Sequence, residues 1–280
     1  MSKKSLFMLL LIIIPVYQMV AESPFFAVNG KVKSYTKTEY VISQKFGDYF
    51  RTPNVLYTYK YDEKGRETEC LEMSANGTLL SKTVNSYDEK GLLTSIVSTD
   101  GSNVAEWRIA YTYNEEGLLV DESEFNKNDE LSGRTITKYS EDKSRVEESS
   151  YNEKGELIWK NICKFDVALN RKLEEKQYFA DGALDQKLAY IYNDEGLLTE
   201  IDSSDSKGNV TKKTLFRFNE KGQNTETATY NIVTGTEERE MYRYDEAGEN
   251  IVRVTVYNVA NKFDTVVNEL VGMSEYKYEK

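Results

Sequence analysis

One unit of about 26 residues recurs along this chain, and a chain so built must stack neighbouring copies of one small element into an array. Its mark is an aromatic, then Asp or Asn, then two mostly charged residues, then Gly. The clearest copies are Tyr61-Asp62-Glu63-Lys64-Gly65, Tyr87-Asp88-Glu89-Lys90-Gly91 and Tyr113-Asn114-Glu115-Glu116-Gly117. Further along stand Tyr192-Asn193-Asp194-Glu195-Gly196, Phe218-Asn219-Glu220-Lys221-Gly222 and Tyr244-Asp245-Glu246-Ala247-Gly248. Tyr139 and Phe165 hold the phase with their glycines lost. The anchors 61, 87, 113, 139, 165, 192, 218 and 244 are spaced by 26, 26, 26, 26, 27, 26 and 26 residues.

Each unit reads as two strands and two turns. Tyr57, Tyr59 and Tyr61 alternate with Thr58 and Lys60, the period-two pattern of a strand with one buried face. The Asp/Asn-x-x-Gly after the anchor is a tight reversal: the Asx side chain bonds backbone two residues on, and Gly supplies positive φ. A second reversal follows at Asn76-Gly77, Asp100-Gly101, Lys154-Gly155, Asp181-Gly182, Lys207-Gly208 and Thr234-Gly235. Strands joined by such turns are antiparallel. The expected fold is therefore all-β: a single array of antiparallel β-hairpin repeats forming a long, twisted, curled sheet of 16 or more strands.

Columns through the array agree. Two before the anchor stand Tyr59, Tyr111, Cys163, Tyr190, Phe216 and Tyr242, an aromatic stripe on the anchor face. One before it, on the other face, stand Lys60, Lys138, Lys164, Arg217 and Arg243. Eight after it stand Glu69, Asp121, Glu147, Glu200 and Glu226. If each anchor faces the residue five beyond it, these basic and acidic columns are diagonal neighbours, each pair worth a few tenths of a kcal/mol. Trp107 and Trp159 share one phase, which reads as packing.

The ends differ from the middle. Lys3 and Lys4, the apolar run Leu6–Val16 and Met19-Val20-Ala21 form a secretory signal peptide over residues 1–21. Residues 22–56 read as a lead-in and cap, 57–253 as the repeats, and 254–280 as capping strands carrying a final Tyr276-Lys277-Tyr278. No span of the mature chain is long and apolar enough for a membrane helix. The expected location is exported: periplasmic, surface-bound or secreted.

The net charge is −11, and −13 once Lys3 and Lys4 leave with the signal segment. That repels phosphate backbones, so nucleic acid is not an expected partner. The chain has no histidine, which removes the commonest general base and metal ligand. Cys70 and Cys163 fall in units more than about 30 Å apart in a linear array, too far for a disulfide.

These repeats resemble the tyrosine-aspartate (YD) repeats of the RHS type, with their Tyr-Asp-x-x-Gly core, over roughly residues 57–280. The resemblance implies hairpins in a long curled β-sheet. In large members of that family the sheet spirals into a shell around a toxin domain. About eight units is few for such a shell. A weaker similarity, to choline- and glucan-binding hairpin repeats, implies tryptophan-built sites, and two tryptophans cannot line a run of them.

Chemistry is sparsely marked. The acid pairs Asp62-Glu63, Asp88-Glu89, Glu115-Glu116 and Asp194-Glu195 fall on exposed turns, where nothing raises a pKa. Their spacing lacks the pattern of a calcium loop. No nucleotide, zinc or redox motif occurs. Neither a catalytic residue nor a metal or cofactor site is expected. The expected function is presentation of an extended surface to a protein or glycan of the envelope or a host. Tyr151, Tyr178 and Tyr230, near the second turns, are the candidate contacts. The alternatives are a carboxylate-based glycan- or peptide-active enzyme and a small relative of an RHS-type shell.

Overall fold

A computed structural model describes residues 25–262 and 265–280; the signal segment lies outside the described residues. Eighteen strands follow in chain order, each paired antiparallel with the one before it. Those used below are β1 (Ser34–Lys45), β2 (Asp48–Tyr61), β3 (Glu67–Ser74), β6 (Ala105–Tyr113) and β7 (Leu119–Asn126). Next come β8 (Leu131–Tyr139), β9 (Arg145–Asn152), β10 (Leu157–Asp166), β11 (Arg171–Phe179), β14 (Val210–Phe218), β17 (Ile251–Lys262) and β18 (Thr265–Glu279).

The open curled sheet is not what forms. β18 pairs with β1 from Ser34↔Glu279 to Tyr40↔Met273, so the meander closes into an eighteen-stranded barrel. The physical reason is the edge: an open array leaves two rows of unpaired backbone groups, and closure pairs them with each other. Cys70 on β3 and Cys163 on β10 remain free thiols, because seven strand spacings of about 4.8 Å separate them around the wall.

The turn after Tyr113 is built as the sequence implies. Asn114 N–H donates to Leu118 O (2.9 Å), and Gly117 N–H to Asn114 O (2.9 Å). Asn114 Oδ1 accepts from the N–H groups of Glu116 and Leu118. Gly117 holds φ +76°; where the glycine is lost, Lys143 holds φ +59° in its place. At Asp100-Gly101 the left-handed residue is Asn103, not the glycine.

Two details set the register. The anchor faces the residue six beyond it, as in Tyr113↔Leu119, and a bulge follows. The bulged residue is often threonine, whose hydroxyl donates back across the pair: Thr94 to Ser86 O (3.1 Å), Thr225 to Arg217 O (3.2 Å). The bulge makes the basic and acidic columns direct partners rather than diagonal ones, as at Lys60↔Glu69 and Arg217↔Glu226; at Lys138↔Glu147 a turn one residue longer has the same effect. The second detail is the anchor hydroxyl, which donates to a carbonyl in the neighbouring strand, 20 residues back. Tyr87 bonds Glu67 O, Tyr113 Leu93 O, Tyr139 Leu119 O, Tyr192 Lys172 O and Tyr244 Asn224 O, at 2.6–2.9 Å.

Closure gives the wall an inside. It is the aromatic face, where Tyr35, Tyr111, Phe216, Tyr242 and Tyr276 are buried. Residues 25–33 lie against this face at the anchor end. Phe25 packs edge-on against Phe216 and Phe218 of β14, Phe26 contacts Tyr35 and Tyr276, and Asn29 exchanges hydrogen bonds with Asn250. Barrels of this strand number commonly enclose a lumen.

Candidate functional site

Three acid doublets on β7, β9 and β11 straddle the wall: Asp121-Glu122, Glu147-Glu148 and Glu174-Glu175. Successive side chains of a strand point to opposite faces, so one acid of each doublet faces out and the other in.

The outward acids are neutralised. Glu69 bridges Lys60 (2.7 Å) and Lys82 (2.5 Å). Arg134 pairs with Asp121, and Lys160 with Glu147 at 2.8 Å. Glu174 lies within 3.5 Å of Lys164, Lys176 and Lys187. The hydrogen bond from Lys187 leads the effects that pull Glu174 down to about 2. The bases opposite are a column the sequence reading missed, five before the anchor: Lys82, Arg108, Arg134, Lys160, Lys187, Lys213 and Arg239.

Inward, the wall divides. On β10 and β11 the polar groups form a closed knot. Lys172 Nζ meets Glu175 Oε2 at 2.9 Å, Tyr190 donates to the same oxygen (3.0 Å), and Asn161 and Gln177 donate to Oε1 (3.0 and 2.9 Å). Burial pushes Glu175 up, but Lys172 and these donors outweigh it and hold the acid ionised. Burial pushes the neighbouring Cys163 thiol up to about 12, so it is inert.

On β7 to β9 no such neutralisation occurs. Glu122 and Glu124 make no hydrogen bond or ion pair among the described residues, and Glu148 accepts only a 3.3 Å bond from Asn161. Facing inward with them are Trp107 and Tyr111 on β6, Thr135 and Thr137 on β8, and Trp159 and Asn161 on β10, with no basic side chain on β6 to β10. Burial first, then the charges of Glu124 and Glu148, push Glu122 up to about 7. Burial raises Glu124 and Glu148 as well. Tyr111 lies directly opposite Glu122, is 6 % exposed, and its hydroxyl has no hydrogen-bond partner. Asn161 Oδ1 is also buried and unpartnered.

The carboxylates that matter are thus not the turn pairs. Of those, Asp62 and Asp88 are half-buried and the rest exposed, and the Asp62 carboxyl is held low by the backbone and side chain of Arg66. The signal for the inner acids was available: any acid doublet inside a strand must send one carboxylate inward. Tyr151, Tyr178 and Tyr230 lie on the outer face, opposite Arg134, Lys160 and Lys213. Phe125 holds the equivalent place and carries Arg108 3.9 Å over its ring. Tyr178 borders an open depression of about 320 Å³ between β10 and the following turn. On the inner face a cavity of about 200 Å³ lies at the seam, where Lys37 pairs with Glu39 and Glu240 with Tyr242. No group of three or more His, Cys, Asp or Glu among the described residues is arranged to hold a metal ion.

No family model matches the chain, and no curated protein matches its sequence. Among solved structures, a porin-like protein from Bacteroides uniformis is similar at 10 % identity over 89 % of this chain and 96 % of its own, with a TM-score of 0.46. A porin-like protein from Bacteroides vulgatus is similar at 13 % identity over 89 % and 98 %, with a TM-score of 0.34. A TcdB2–TccC3–Cdc42 structure is similar at 12 % identity over 84 % of this chain and 15 % of its own, with a TM-score of 0.29. The fold itself defines the class: an all-β, antiparallel, closed eighteen-stranded barrel.

Proposed function

We propose that this is an exported, non-enzymatic binding barrel whose working surface is its inner wall. The observation that carries the reading is the contrast within the doublets: outward acids are saturated by bases, while Glu122, Glu124 and Glu148 face the lumen beside two unpartnered polar atoms. A buried polar group without a partner costs stability, and a ligand that supplies the partner recovers it. Export rests on the signal segment, and the charged rows of the outer face oppose a lipid-facing role. The RHS-type reading remains on the repeat itself, with partners of protein or glycan nature in the envelope or a host.

A second reading, shallow protein or glycan contact through Tyr151, Tyr178 and Tyr230, is favoured by the open depression at Tyr178. One panel separates the two. Thermal shifts are measured with cations, glycans and peptides on the mature chain, on Glu122→Gln/Glu148→Gln, and on the triple tyrosine-to-alanine variant. Ligand shifts lost only in the inner variant support the inner wall. Shifts lost only in the tyrosine variant overturn it, and turnover of any shifting ligand overturns the non-enzymatic reading.

A further inference from the structure

We propose that the inner wall between β6 and β10 binds an aliphatic polyamine, a flexible chain carrying several ammonium groups. The inference rests on the inner-wall reading and names its ligand class. Three observations converge. First, Glu122 and Glu124 on β7 and Glu148 on β9 flank one stretch of β8, where Thr135 lies opposite Glu122, Gly133 opposite Glu124 and Thr137 opposite Glu148. Gly133 leaves room there: a Cβ would meet Glu124 Oε2 at 3.4 Å. The nearest inward base in sequence, Lys172, is taken by Glu175.

Second, two buried groups beside the acids want partners. The Tyr111 hydroxyl lies across the strand pair from Glu122 and feels the charges of both Glu122 and Glu124. Asn161 spends its amide N–H groups on Glu148 and Glu175, and its Oδ1 stays unpartnered at a residue 9 % exposed. Oδ1 is an acceptor beside carboxylates, so the missing partner is a donor of positive charge. An ammonium has three donors and no acceptor.

Third, Trp107 and Trp159 stand 20 residues after their anchors on β6 and β10, at one height on either side of the acids. Indole faces attract organic cations. Geometry selects the ligand. Glu122 and Glu148 lie two strand spacings and two residues of register apart, about 12 Å along the wall, and no group of three acids among the described residues is arranged to hold one metal ion. A chain with ammonium groups separated by methylenes can meet each acid in turn and lay its apolar segments on the indoles.

The test is isothermal titration calorimetry of spermidine into the mature chain at pH 7.5 in physiological salt, with Mg²⁺ alone as a second titrant. Saturable spermidine binding is expected. It should weaken at least tenfold in Glu122→Gln/Glu124→Gln, a few-fold in Tyr111→Phe, and not at all in the Tyr151/Tyr178/Tyr230 alanine variant. Circular dichroism checks the fold of each. Absent binding, equal binding by the double-glutamine variant, or displacement by equimolar Mg²⁺ overturns the polyamine. If spermidine fails while another ligand in the thermal panel depends on Glu122 and Glu148, the inner-wall reading survives and the ligand class does not.

Discussion

Glu174 and Glu175 are adjacent in the chain and carry the same charge, yet they live under opposite physics. Glu174, on the outer face, lies among three lysines that are themselves one-third to more than half exposed. Glu175, on the inner face, is 1 % exposed and has one lysine. Number of partners is a poor guide to worth. An exposed pair gains little over hydration, whereas removing one member of a buried pair strands the other. The same divide separates Asp121 from Glu122 and Glu147 from Glu148, except that Glu122 and Glu148 make no ion pair among the described residues, and Glu148 feels Lys172 only at a distance.

The largest effect should come from the inner knot. Glu175→Ala leaves Lys172 buried without its counter-ion and should cost about 3–5 kcal/mol in denaturant unfolding. Glu174→Ala, despite removing three contacts, should cost about 0–1 kcal/mol. Equal costs would erase the distinction between the two faces.

Next in size is the turn that delivers the strands to their faces. Gly117→Val places a β-branched residue at φ +76° and should cost about 1–3 kcal/mol by thermal or chemical unfolding. A neutral result would mean that the reversal after Tyr113 is not the one described.

The pH response should differ in sign. Glu122 has its folded pKa raised to about 7, so its contribution is fully present below the ordinary carboxylate value and lost as pH rises through 7. Glu122→Gln should therefore melt higher than the parent at pH 8, with the gap closing by about pH 4.5. Glu174 has its folded pKa lowered to about 2, so its contribution is present above the ordinary value and lost on acidification. Glu174→Gln should melt no higher at pH 8, and any deficit should vanish near pH 2. Melting curves of both variants at three pH values sharpen the comparison or break it.

The smallest effect concerns the anchor hydroxyl. Tyr113→Phe removes the 2.8 Å bond to Leu93 O and should cost about 1 kcal/mol, while Phe218 shows that the array tolerates its absence. No change on unfolding would leave that bond a bystander.

Periodicity carried much of this into the sequence. Tyr57, Tyr59 and Tyr61 announced the strand and its buried face, and Asn114 with Gly117 announced the turn, because both are local consequences of backbone geometry. Closure was not legible. It depends on β1 and β18, 231 residues apart at Ser34 and Thr265, finding register, and no local pattern encodes that meeting. The bulge beyond the anchor was also hidden, since one extra residue leaves the repeat length unchanged while it converts Lys60 and Glu69 from diagonal to direct partners. Without closure there is no inside, and so the doublets read as surface charge and the tyrosines of the outer face as the natural contacts.

The inner wall exists only because the first and last strands meet at a seam. Thr36 and Lys277 are register partners across it. A chain with Thr36→Cys and Lys277→Cys, its native cysteines changed to serine, should oxidise to an intramolecular disulfide, since paired strands bring Cα atoms within about 4.5–5.5 Å. Non-reducing mass spectrometry of the monomer should show the species two hydrogens lighter. A monomer that keeps both thiols under oxidant, or that links only between chains, would mean that the array stays open and that the acidic inner wall does not exist.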